Sequence, residues 1–178
     1  MPEKNELPQR KLLRMKGYDY STAANYFVTI VLQNRANLLG DVSDGQMTLN
    51  AAGEMVENEI LRLPVKHPEC TIEHFVVMPN HIHFIITQYG NLSLSEVIRE
   101  YKSLTTHLYI VGVKQHGWPR FEKKFWQHNY YEHIIRNNRA FESIAQYIAD
   151  NPARWEMDDI NPNHGSQCDD IIAQVLKE

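Results

Sequence analysis

The chain has 178 residues, 43% hydrophobic and 22% charged, with a formal net charge of −4. This is the size and apolar content of one globular domain. Its longest apolar run, Tyr26–Leu32, is far too short to cross a bilayer, and Met1-Pro-Glu-Lys-Asn-Glu lacks the apolar core of a signal peptide. Cys70 and Cys168 are too few for a disulfide framework or a Cys-rich zinc site, so a cytoplasmic, reduced setting with no membrane contact is expected.

The negative charge is unevenly placed. From Glu156 to Glu178 there are six acids and one base, a net of −5, which leaves about +1 for the rest. Bases gather in Arg10–Lys16 and in Arg120–Lys124. Nucleic-acid binding needs local rather than global positive charge, so the overall sign does not exclude it.

In chain order, Tyr26–Leu32 is a nearly continuous β-rich run, expected as a central strand. Asp44-Gly45 between short apolar pieces predicts a hairpin within Leu38–Leu49. Ala52, Met55, Val56, Ile60 and Leu63 keep helical spacing, and Pro64 is expected to stop that helix. Ile72–Met78 and His81–Thr87 read as strands joined by the turn pair Pro79-Asn80. Ser93-Leu-Ser-Glu96 is a capping-box pattern opening a helix. Its expected inward face is Leu94, Val97, Ile98, Tyr101, Leu104, Leu108 and Val111, with Gly112 and then Gly117-Trp-Pro119 ending it. Tyr130–Ile135 reads as a strand. Phe141, Ile144, Ala145 and Ile148 form the inward face of a last helix, terminated by Pro152. Helices connecting strand to strand, twice, with a hairpin between, predict an α+β fold: a ferredoxin-like βαββαβ sandwich with one additional C-terminal helix.

Within this frame, His81-Ile82-His83 places two imidazoles on one face of a strand, since alternate side chains point the same way. Two neutral imidazoles can share a divalent cation, although the same tripeptide also suits a plain polar strand face. In the last helix, Tyr147 and Asn151 are four residues apart and so share a face. Taken alone, that pair fits edge packing and an ordinary helix terminus.

Several stretches together resemble a known family: Gly17-Tyr-Asp-Tyr20 with Tyr26-Phe-Val-Thr29, Val76-Val-Met-Pro-Asn-His-Ile-His83, Trp126–Arg136 and Tyr147-Ile-Ala-Asp-Asn-Pro152. The chain resembles Y1 transposases of the HUH class, in the IS200-like group, and especially the REP-associated tyrosine transposases. The resemblance implies a transposase domain over 25–155, preceded by an N-terminal arm over 1–24; the acidic stretch, expected as a tail over 156–178, departs from the family's usual pattern. The resemblance also implies that His81 and His83 hold a divalent cation, Mg²⁺ or Mn²⁺, that Asn151 stands where relatives carry a glutamine ligand, and that Tyr147 is the nucleophile on the added helix. The implied activity is cleavage and rejoining of single-stranded DNA near hairpins through a 5′-phosphotyrosine link. Relatives include both dimers and monomers, so a homodimer and a monomer are both left open.

Tyr130 and Tyr131 compete with Tyr147 for the nucleophile's role; Glu132 and Gln146 are polar helpers or solvated surface. For DNA contact, Arg14, Lys16, Arg120, Lys123, Lys124 and Trp126 combine charge with an aromatic platform, while the aromatics of the Trp118–Trp126 loop equally suit closing the core. Two other readings fit parts of the pattern. One is a non-catalytic single-stranded nucleic-acid binder on the same fold. The other is a small metal-dependent hydrolase, which would require a carboxylate near the histidine pair; Glu73 and His74 fit that need poorly.

Overall fold

The computed structural model describes residues 24–89 and 93–164. Arg14, Lys16, Gly17–Tyr20, Cys168 and the end of the acidic tail lie outside the described residues.

The elements are β1 (Ala24–Val31), β2 (Gly40–Ser43), β3 (Gln46–Leu49), α1 (Ala51–Lys66), β4 (Cys70–Val77), β5 (His81–Gln88), α2 (Leu94–His116), β6 (Tyr131–Ile135) and α3 (Asn138–Asp150). Short 3-10 helices cover Gln33–Arg35 and Pro152–Met157. The main sheet runs β4-β5-β1-β6, every neighbour antiparallel. The second and third core strands form a hairpin, and helices join first to second and third to fourth. That is the ferredoxin-like arrangement expected, with α3 added. The β2–β3 hairpin stands apart as its own sheet, and Asp44 and Gly45 turn it with φ of 51° and 70°. Two successive positive φ values are what a tight primed turn requires.

Side-chain alternation sorts the sheet into two buried faces. Tyr26, Val28 and Ile30 of β1 join Ile82, Phe84 and Ile86 of β5 in the core under α1 and α2. The intervening Phe27 and Ile85 join Ile144, Tyr147 and Ile148 in a smaller core under α3. Both faces of the central strands are therefore covered, which explains their unbroken apolar runs. A bulge between Ile72 and His74 shifts the β4 register. His74 then meets Phe141 of α3, ring centroids 5.7 Å apart.

Four local expectations are corrected. Helix α1 runs through Pro64 to Lys66, because Pro64 sits in the last turn and the His67 N–H still closes onto the Leu63 carbonyl. Helix α2 runs through Gly112 and ends at Gly117, whose φ of 69° suits a left-handed cap. Gly112 instead lets Trp118 lie on the helix: a Cβ there would come within 2.1 Å of the indole ring. The α2 stripe also turns. Thr105, Tyr109 and Gly112 face inward while Leu104 is 38% exposed, because Trp126, Phe125 and Trp118 fill that side. Finally, Ser93 is the α2 N-cap but its hydroxyl meets Ser95 at 2.6 Å rather than capping a backbone N–H.

Candidate metal centre and nucleophile

Strand β5 begins immediately after the Pro79-Asn80 turn. That turn is anchored by the Leu38 and Leu39 N–H groups on the Pro79 carbonyl and by the Leu32 N–H on the Asn80 carbonyl. Alternation from Ile82, which enters the larger core, sends His81 and His83 to the α3 face, both fully buried. Their rings lie 4.5 Å apart. Each Nδ1 is engaged: His83 Nδ1 lies 2.7 Å from Thr29 Oγ1, its cross-strand partner, and His81 Nδ1 lies 2.8 Å from Asn80 Oδ1. Both Nε2 atoms are left facing the additional helix and the segment after it. Burial drives the His81 imidazole down to about 3, opposed by the Asn151 amide and assisted by Arg35. Burial, then the His81 charge, lowers His83 as well. Both rings are thus held in the neutral form, the one whose free nitrogen can donate a lone pair to a cation.

Helix α3 starts with Asn137, whose side chain accepts from the Ala140 N–H. Its apolar stripe carries Tyr147 onto His83, with the phenol oxygen 3.4 Å from His83 Nε2. Phe27 stacks on His83 at 5.3 Å and meets Tyr147 edge-on at 6.1 Å, so one ring holds both in place. Burial pushes the Tyr147 phenol well above its ordinary value; the Asp158 charge raises it further, while Asn151 and Arg154 pull it back. Tyr131 shares this face through the register row His83–Thr29–Tyr131. Two strand spacings, roughly 10 Å, separate its backbone from that of His83. Tyr130 packs against the larger core, and Gln146 is exposed, donating to Asp150.

Helix α3 ends before Pro152 as expected, and Pro152 opens a 3-10 helix directly after it. This turn carries Trp155 to within 6.0 Å of the His81 ring and Asp158 to 3.8 Å from His81 Nε2. Within the acidic stretch from residue 156, Glu156 and Met157 are exposed but Asp158 is buried, only 8% exposed. His81, His83 and Asp158 offer ligand atoms that all lie within 4.8 Å of one another. Three buried atoms here have no hydrogen-bond partner among the described residues: His81 Nε2, Asn151 Oδ1 and Asp158 Oδ2. Unsatisfied buried polar atoms are costly, and several gathered at one point suit cation binding. Two imidazole nitrogens with amide and carboxylate oxygens fit a divalent cation.

Sequence reading missed Asp158, Arg35 and Asn80. Asp158 lies in an acid-rich stretch that reads as solvated surface. Arg35 is exposed, donates to the Asp159 carbonyl at 2.6 Å and acts electrostatically on both His81 and Asp158. The residues expected to contact DNA divide. Arg120, Lys123 and Lys124 are exposed, and the two lysines line an open groove of about 350 Å³ with Lys102 and His128. Of the two readings of its loop, Trp126 follows core closure: it is 3% exposed, with its indole N–H on Thr105 Oγ1 at 2.8 Å, and offers little face for base stacking.

Residues 21–151 match the IS200-like transposase family, and the chain belongs to it. An uncharacterised protein of Haemophilus influenzae is 33% identical over 85% of this chain and 92% of its own length. The REP-associated tyrosine transposase of Escherichia coli K12 is 29% identical over 76% of this chain and 70% of that protein. Among solved structures, that of a REP-associated tyrosine transposase bound to a REP hairpin aligns with a TM-score of 0.60 at 26% identity, covering 80% of this chain and 73% of the other. Family membership places the chain among DNA-processing enzymes.

Proposed function

We propose that this protein is a metal-dependent HUH-class transposase that cleaves and rejoins single-stranded DNA beside hairpins, with Tyr147 as nucleophile. The observation that carries this reading is the convergence of the unpartnered His81 Nε2, Asn151 Oδ1 and Asp158 Oδ2 at the site where Tyr147 meets His83. His81, His83, Asn151 and Asp158 would hold Mg²⁺ or Mn²⁺. When bound, the ion withdraws charge from a scissile phosphate and favours the ionised phenol. The chain does the rest. Phe27 and the α3 backbone aim Tyr147. Its oxygen forms a bond to phosphorus as the P–O3′ bond breaks. The phenol loses its proton, and the released 3′ oxygen takes one up. The 5′-phosphotyrosine conserves the ester, so a second 3′-hydroxyl can reverse the step without another energy source. The solved relative bound to a REP hairpin supports hairpin DNA as the partner.

The test is a denaturing gel of the protein with labelled single-stranded hairpin DNA, with Mn²⁺ or with EDTA. A denaturation-resistant protein–DNA band that needs metal is expected. Tyr147→Phe should abolish it and Tyr131→Phe should keep it; the reverse would sink the assignment of Tyr147. Asp158 favours a second reading, because a carboxylate beside the histidine pair is what a water-using hydrolase needs. That reading predicts cleavage by Tyr147→Phe with no adduct in either protein. Binding without cleavage or adduct would favour the non-catalytic binder.

A further inference from the structure

Asn80 is fully buried between the histidine pair and the two segments that flank it. Its Nδ2 donates to the Arg35 carbonyl at 3.0 Å and to the Ile160 carbonyl at 3.0 Å. Two carbonyl acceptors fix the amide's orientation, since a flipped amide would set its oxygen against both. Oδ1 must then face His81, and it lies 2.8 Å from Nδ1. An amide oxygen only accepts, so His81 Nδ1 carries the ring proton and Nε2 carries a lone pair. That Nε2 is the buried atom left without a partner opposite Asp158. The same amide reaches Asp158 from the other side. Ile160, whose carbonyl Asn80 holds, donates its N–H to Asp158 Oδ1 at 2.7 Å, which leaves Oδ2 as the free oxygen.

We propose that Asn80 is the positioning residue of the metal centre: it fixes His81 in the Nδ1–H form and, through Ile160, orients the Asp158 carboxylate onto the same point. This rests on the metal reading above but concerns a residue that touches neither substrate nor ion. The partner of a ligating histidine's second nitrogen sets ring orientation and basicity, and removing such partners typically weakens metal binding by about 10–100-fold.

The experiment uses the full chain labelled with ¹⁵N-histidine, free of metal, with His81 resonances assigned by comparison with His81→Gln. The His81 signal should report a protonated Nδ1 and an unprotonated Nε2. Mn²⁺ affinity is then measured by calorimetry. Asn80→Leu should weaken Mn²⁺ by about 10–100-fold and release the tautomer. Asn80→Asp keeps an oxygen facing His81 but loses the donor to the Arg35 and Ile160 carbonyls, so it should retain the tautomer and weaken Mn²⁺ binding, though less than Asn80→Leu does. Thermal melts establish that each variant folds. If Asn80→Leu does not fold, the native spectrum decides alone, because a protonated Nε2 on His81 would overturn the proposal. Equal loss of affinity in both variants with the tautomer intact in Asn80→Asp would overturn it too. A native protein with the expected tautomer and no affinity for Mn²⁺ would overturn the metal reading, and with it the purpose given to Asn80. A protonated Nε2 with tight Mn²⁺ binding would overturn the Asn80 assignment alone.

Discussion

The Asp158 carboxyl is raised above its ordinary value, first by burial and then by Asp159, against the Ile160 N–H, Arg35 and Asn151. The folded chain therefore holds this proton to higher pH than the unfolded chain does. Its contribution to folding is lost as pH rises from about 4, the unfolded value, through the higher folded one. Near neutrality an ionised Asp158 opposes folding unless a cation faces it. Asp158→Asn keeps an acceptor for the Ile160 N–H and removes the charge. It should raise the melting temperature of the metal-free protein by roughly 2–4 °C, about 1 kcal/mol, and show a smaller further rise on adding Mn²⁺ than is expected of the native chain. Scanning calorimetry with and without Mn²⁺ checks both. Cys70 is a separate case. Burial, then Glu69, pushes its thiol up to about 11, and its Sγ donates to the His67 carbonyl. In a Cys168→Ser chain, Cys70 should resist alkylation at pH 8 and react on denaturation; native-state labelling at the rate of free cysteine would contradict this.

At the scale of elements, α3 and the 3-10 turn after it form one device that closes over the histidine face. Pro152 suits the first position of that turn because its missing N–H is not needed there. The turn then redirects the chain so that Trp155 and Asp158 return to the sheet. On the opposite face, α2 accommodates Trp118 only because residue 112 has no side chain. Trp118 is held against Tyr109 with ring centroids 5.2 Å apart and cannot retreat freely. Gly112→Ala should therefore cost about 1–3 kcal/mol, the usual range for overpacking, despite alanine's better helix propensity. Urea unfolding should show a lower midpoint with an unchanged slope; a midpoint above that of the native chain would mean that the indole has room to shift.

For the whole molecule, the net charge of −4 hides a division between an acidic C-terminal stretch and a remainder near +1. The Lys102, Lys123, Lys124 and His128 groove is a local positive surface on a protein that is acidic overall. If it follows a DNA backbone, as expected for Lys123 and Lys124, the double substitution Lys123→Gln with Lys124→Gln should weaken hairpin binding. The slope of log affinity against log salt should become shallower by roughly 0.7 for each single-strand phosphate that the variant no longer neutralises. Fluorescence anisotropy across a salt series reads this out; an unchanged slope would remove the groove from the interface.

Strand alternation, turn pairs and helical spacing were enough to predict the βαββαβ order with its additional helix, because those signals are local and repeat along the chain. His81 and His83 were legible for the same reason, since a period of two places both on one face. The i, i+4 spacing put Tyr147 and Asn151 on one helical face, and family resemblance assigned their roles. Local signals could not say that Trp126 would turn inward, because an aromatic in a basic loop reads alike whether its ring meets solvent or Thr105. Nor could they distinguish Tyr131 from Tyr147 by reach, which depends on how far two strand spacings carry a side chain. Asp158 lay beyond them altogether. It is far from His81 in sequence and sits among acids that look solvated, and only the fold of Pro152–Met157 against the sheet brings its carboxylate within 3.8 Å of Nε2. Periodicity along the chain determined which residues share a face; packing between distant segments decided which of those faces meet.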